Sequence, residues 1–153
     1  MQQDTLTLAV AYYMNGINFR SSAEKLKQDI ELDDLGRPTK LTAIPLYYLA
    51  SQAAELFLKA ALLKRGFAES DLKKFDFRHN LSALLSVIQE KGLPVSGETE
   101  MVVSGLSEQH KHHQLRYTVL FNDGNKTYWP PLEMLFLALD ELLLLTRIST
   151  HGR

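Results

Sequence analysis

"AAELFLKAALLKRG", residues 53–66, is a helix-forming run that is apolar almost throughout, yet Glu55 and Lys59 stand in its middle. Turned by about 100° per residue, the helix around it sets Tyr47, Ala50, Ala54, Phe57, Leu58 and Ala61 on one face. Leu49, Leu56 and Leu63, spaced by seven, fall on the opposite face. A helix apolar on two sides lies inside a bundle or packs its second face on another subunit. Gln52, Glu55 and Lys59 line a polar seam between the faces. Glu55 precedes Lys59 by four residues, the favourable orientation for a helical ion pair. In water such a pair contributes only about 0.3–0.5 kcal/mol. At the edge of a buried seam it is partly desolvated and needs other polar groups to hold it. The plainer reading is a snorkelling pair at a helix border.

The rest of the chain fits helices around this one. Helix one is expected from Asp4 to Ile30, with Leu6, Ala9, Val10, Tyr13 and Ile17 as its apolar stripe, Ala23, Leu26 and Ile30 continuing an apolar face, and a weak point or kink at Asn15-Gly16. Residues 31–40 read as a loop by their Asp, Gly and Pro content. Helix two begins near Thr42 to Pro45, with Thr42 as N-cap, and stops at Gly66. Helix three spans Arg78 to Lys91, before Gly92 and Pro94. Ser96 caps helix four, with Glu98 and Glu100 in its positive first turn. Helix five starts at Pro130-Pro131 and runs to Ser149. Its Leu132, Leu135, Leu139, Leu142 and Leu143 share a face, leaving Met134, Leu137, Leu144 and Leu145 over. The expectation is one domain over residues 1–153: an all-α, up-and-down bundle of four to five helices, paired through its surplus apolar faces as a homodimer.

Residues 116–129, "RYTVLFNDGNKTYW", break the helical pattern. They are β-branched and aromatic around Asp123-Gly124, a dipeptide suited to a type I′ turn, which needs positive φ at both central residues. A small β-hairpin insertion near residues 117–129 is expected, leaning on the helices through Tyr128 or Trp129; the alternative is an ordered irregular loop.

With 153 residues and 45% hydrophobic content the chain can bury a core without staples. A net charge of −1 gives no global basic field for nucleic acid. The absence of cysteine excludes disulfides, thiolate catalysis and zinc–thiolate sites. No basic n-region precedes an apolar run, and no stretch of about 18 uncharged apolar residues occurs. The expectation is a cytoplasmic protein without membrane association.

"EQHKHHQLRY", residues 108–117, holds three of the five histidines. His110 and His113 lie one turn apart and suit a shared metal or an acid–base pair. A metal site wants a third ligand, which no motif supplies, so neither metal nor cofactor is assigned. The plainer reading is a solvated helix end, where cations suit the dipole. A third reading takes Lys111, His112, His113, Arg116 and Tyr117 as a ligand-binding set, since cations beside stacking rings suit a phosphate- and base-bearing ligand. His79 caps or packs at the start of helix three, or turns its ring toward the Glu55–Lys59 seam. No Ser/His/Asp order, Gly-rich phosphate loop or paired-carboxylate motif stands out.

Two stretches together resemble the HEPN family of small helical bundles. Ala53-Ala54-Glu55 through Leu58-Lys59-Ala60 matches a helix of the form A-x-E-x-x-L-K-A, and His79-Asn80-Leu81 with Leu84 matches H-[DN]-L-x-x-L opening the next helix. Leu115-Arg116-Tyr117 resembles the arginine–tyrosine pair that ends the fourth helix of many members. The resemblance implies a dimeric bundle tied to nucleotide and RNA chemistry, some members being toxin ribonucleases and others accompanying nucleotidyltransferases. The nuclease members carry R-x(4–6)-H. No arginine here has a histidine at that spacing; Arg147 has His151 four residues on. The leading expectation is therefore a non-catalytic or degenerate HEPN-like module that binds a nucleotide, RNA or a protein partner, with a nucleotidyltransferase as one candidate partner. The alternatives are a metal-independent ribonuclease using Arg116 with His113 or His110, and a pure interaction module.

Overall fold

The computed structural model describes residues 2–111 and 130–147. They form six α-helices: α1 (Gln2–Lys27), α2 (Ile44–Lys64), α3 (Glu69–Leu72), α4 (Leu81–Glu90), α5 (Gly97–Lys111) and α6 (Leu132–Arg147), with 3₁₀ turns at Leu41–Ala43 and Phe75–Phe77. Among these residues the fold is all-α. The expected hairpin lies outside the described residues. Among the described residues no helix is long and apolar enough to cross a membrane.

α2 is the axis of the bundle, packed against α1, α4, α5 and α6. All six residues of its predicted face, from Tyr47 to Ala61, are buried. Its second face is covered within the same chain: Leu63 is buried, and Leu49 and Leu56 are half-buried. Of the two explanations for a two-faced helix, an interior position suffices here. α6 runs parallel to α2, held at one end by the Tyr47 hydroxyl donating to the Pro130 carbonyl (2.6 Å) and at the other by Lys64 donating to the Thr146 carbonyl. α1 runs antiparallel to α6, tied by Arg20–Asp140 (2.8 Å) and by Arg147 donating to the Tyr13 hydroxyl (3.2 Å).

The predicted apolar face of α1 holds at Ala9 and Ala23 and is corrected at Leu6 and Val10. Leu6 and Val10 are 53% and 54% exposed. The buried line is Ala9, Gly16 and Ala23, again spaced by seven. Small residues let the two backbones approach. A Cβ placed on Gly16 would stand 2.6 Å from a Phe57 ring carbon. α1 continues through Asn15-Gly16 as one helix rather than breaking there; the glycine serves a close contact, not a kink.

Helix ends follow local chemistry. Thr42 sits in the 3₁₀ turn instead of capping α2, whose N-cap is Ala43 and whose first turn carries Pro45. At the other end Gly66 takes φ 93°. Its N–H meets the Leu63 carbonyl (3.2 Å) and the Phe67 N–H meets the Leu62 carbonyl (3.2 Å), which satisfies the last carbonyls of α2. α4 begins at Leu81, three residues later than predicted, because Asn80 caps it by accepting from the Ala83 N–H (3.1 Å). Ser96 accepts from the Thr99 N–H (3.2 Å) at the head of α5. Glu141 of α6 takes the Ser96 N–H (2.6 Å) and both nearby hydroxyls, pinning α6 to that end of α5.

Candidate functional site: a buried carboxylate with three cation-capable partners

The polar seam closes into a cluster drawn from three elements. Glu55 projects from the middle of α2 and is only 3% exposed. Its Oε1 accepts from Lys59 Nζ at 2.7 Å, the i,i+4 partner read from the sequence. Its Oε2 lies 2.7 Å from His110 Nε2 and 3.1 Å from His79 Nδ1. The two imidazoles meet edge to face, with centroids 5.3 Å apart and planes at 88°.

Each partner is aimed by its own segment. Lys59 follows Glu55 by one helical turn. His79 precedes the Asn80 cap and takes φ 56°, left-handed for a residue with a Cβ, a conformation that costs on the order of 1–3 kcal/mol. That turn swings its ring back onto α2. Asn80 is itself anchored to α5, where Ser107 Oγ donates to its side-chain oxygen (3.4 Å) and accepts from the Ser82 N–H (3.0 Å). His110 lies on the buried face of α5 with Val103 and Leu106 and is 3% exposed. Only the His79 side chain reaches the surface appreciably, at 30% exposure.

Burial pushes the Glu55 carboxyl up. The hydrogen bond from His110, the Lys59 charge and the Lys59 hydrogen bond outweigh it and hold the group well below the usual carboxylate range. Glu55 is thus an ionised, buried, three-way acceptor. Such a group is tolerated in a core only when its partners are in place.

The structure therefore brings together Glu55, Lys59 and His79 of the predicted seam. Gln52 stands half-buried one turn before Glu55 and, among the described residues, donates nothing to the carboxylate. Sequence reasoning set His110 beside His113; the structure turns it inward to α2. Its register carried the signal, since Val103, Leu106 and His110 repeat the inward spacing of α5. Lys111 is the exposed last residue of α5. His112, His113, Arg116 and Tyr117 lie outside the described residues. Compared with protein-family models, with curated proteins and with solved structures, the chain matches none.

Proposed function

We propose that this chain is a HEPN-like module, lacking the R-x(4–6)-H arrangement, that binds a phosphate-bearing ligand, a nucleotide or RNA. One observation supports this reading above the others. The two motifs that carry the family resemblance supply Glu55, Lys59 and His79, and these side chains meet at one place. Three groups able to carry positive charge share a single buried carboxylate there, and His79 opens that surplus toward the surface beside the exposed Arg78. An anion docked at this edge gains charge-assisted hydrogen bonds. The basic residues of the predicted ligand set, Lys111 at the end of α5 and Arg116 five residues further along the chain, are taken as part of the same proposal. The test is fluorescence anisotropy with a labelled nucleotide and a short single-stranded RNA. Binding is expected to weaken as salt rises, since counterions compete for the same charges, and Arg116→Ala is expected to lose about 1–3 kcal/mol. Salt-insensitive binding, or none, leaves a protein-interaction module as the better reading.

A ribonuclease reading keeps one observation in its favour. A carboxylate holding His79 Nδ1 makes Nε2 the basic ring nitrogen, the orientation a general base needs. RNA cleavage that survives chelator and disappears with Arg116→Ala would reverse the order of the two readings.

We infer further that the module works as a homodimer, through the apolar surface left by Leu6, Val10 and Met14 on α1 and by Leu137 and Leu144 on α6. Light scattering at micromolar concentration is expected to give twice the chain mass; a stable monomer mass ends that part of the reading. A nucleotidyltransferase partner belongs to the same proposal and is tested by co-purification.

A further inference from the structure

We propose that Glu55, His79 and His110 form a binding site for a divalent transition-metal ion of the zinc type. The sequence alone offered His110 with His113 and lacked a third ligand; the fold supplies a different and complete set. One donor comes from the middle of α2, one from the turn before α4 and one from the inward face of α5. Their candidate ligand atoms, Glu55 Oε2, His79 Nδ1 and His110 Nε2, all lie within 4.8 Å of one another.

The spacing suits an ion. Bonds of about 2.0–2.2 Å at tetrahedral angles set donor atoms about 3.4 Å apart. The observed Glu–His separations are 2.7 and 3.1 Å, so a small outward rotation of the rings opens the required gap. Two imidazoles and one carboxylate favour zinc, cobalt or nickel over magnesium or calcium, which prefer oxygen. Metal–ligand bonds replace the hydrogens now shared between the ring nitrogens and Oε2. A neutral ring shifts its proton to the other nitrogen, and a charged ring releases it to solvent.

Two further features fit a ligating role. Lys59 holds Oε1, so Glu55 presents Oε2 alone, as outer hydrogen bonds commonly orient ligating carboxylates. His79 takes a left-handed backbone conformation to face the cluster, and such strain in a residue with a Cβ gathers at functional sites. Lys59 also opposes the ion electrostatically. The charge balance then favours an anion, hydroxide or a phosphate oxygen, in the fourth position. His79, the partly exposed member, marks the side from which an ion enters.

The experiment uses metal-free full-length protein and Co²⁺ or Zn²⁺ alone, with no nucleotide present. Failure here therefore leaves the phosphate reading standing, and the reverse also holds. Expected are one ion per chain by calorimetry, visible ligand-field bands with Co²⁺ and a raised thermal midpoint with Zn²⁺. His79→Gly removes a ligand while suiting the left-handed backbone, so the variant stays folded by circular dichroism and loses binding by at least tenfold. The double variant His112→Ala/His113→Ala controls for capture by the neighbouring histidines and retains wild-type binding. Absence of saturable binding by wild-type protein overturns the site. So does tight binding that survives His79→Gly or vanishes in the double variant.

Discussion

The two sides of α2 solve the same packing problem in opposite ways. Toward α1 the seam is apolar: Ala9, Gly16 and Ala23 are buried along it, and Gly16 stands against a fully buried Phe57. Toward α4 and α5 the helix buries an ionised carboxylate among Lys59, His79 and His110. The apolar side is held by contact area and shape, which many side-chain combinations satisfy to some degree. The polar side is less forgiving, because a buried Glu55 stripped of its partners leaves an unpaired charge in the core. The first arrangement is held by packing; the second holds only while the carboxylate keeps its partners. Groups kept on such terms are where chemistry is to be sought.

The largest effect should come from the apolar side. Phe57→Ala removes a ring that is wholly buried and faces a backbone that cannot close the gap by itself. A loss of about 3–5 kcal/mol is expected, read as a fall in the thermal or urea midpoint. A midpoint near wild type would mean that α1 collapses onto α2 when the ring is gone, and that the seam is softer than its small residues imply.

On the polar side, Glu55→Gln keeps the shape and removes the charge. About 2–3 kcal/mol should be lost at neutral pH, the worth of hydrogen bonds to a charged group together with the partners left behind. The pH dependence follows from the direction of the Glu55 shift. Its folded pKa is depressed, so its stabilisation is fully present above the unfolded value of about 4.3. It is lost as pH falls below that value toward the folded one. The gap in unfolding free energy between wild type and Glu55→Gln should therefore shrink as pH falls below about 4.3. A gap that widens below pH 4 contradicts an ionised Glu55 at this site.

These two regions were not equally legible in the sequence. The α2 face from Tyr47 to Ala61 could be read because bulky and small apolar residues alike repeat at the helical period. The α1 face was misread because periodicity weighs bulk. It set Leu6 and Val10 beside Ala9 on the inward stripe and read Gly16 as a weak point, although the value of Gly16 lies in how close it lets a neighbour come. The short α3 escaped because four residues are too few to show a period. In the cluster, the Glu55–Lys59 pair was visible as spacing, and His79 entered as a motif residue with more than one candidate role. His110 looked like part of a histidine-rich helix end. Only its register with Val103 and Leu106 pointed inward, and a polar residue on an inward register is easily set aside until its partner is known.

The smallest effect carries the clearest sign. Gly16 lies mid-helix, where alanine is favoured over glycine by about 1 kcal/mol. If the α1–α2 seam were loose, Gly16→Ala would stabilise the protein by that amount. The added Cβ, however, would stand 2.6 and 2.8 Å from two Phe57 ring carbons, and the ring is buried with no exposed side toward which to rotate. Overpacking of this kind costs about 1–3 kcal/mol. The net expectation is a destabilisation of roughly 1 kcal/mol. The pairing with Phe57→Leu sharpens it: if the clash is with the ring, Gly16→Ala should cost less in the Phe57→Leu background than in wild type, a coupling measurable by a double-mutant cycle. A stabilising Gly16→Ala in wild type would show that the helices stand further apart than this seam requires.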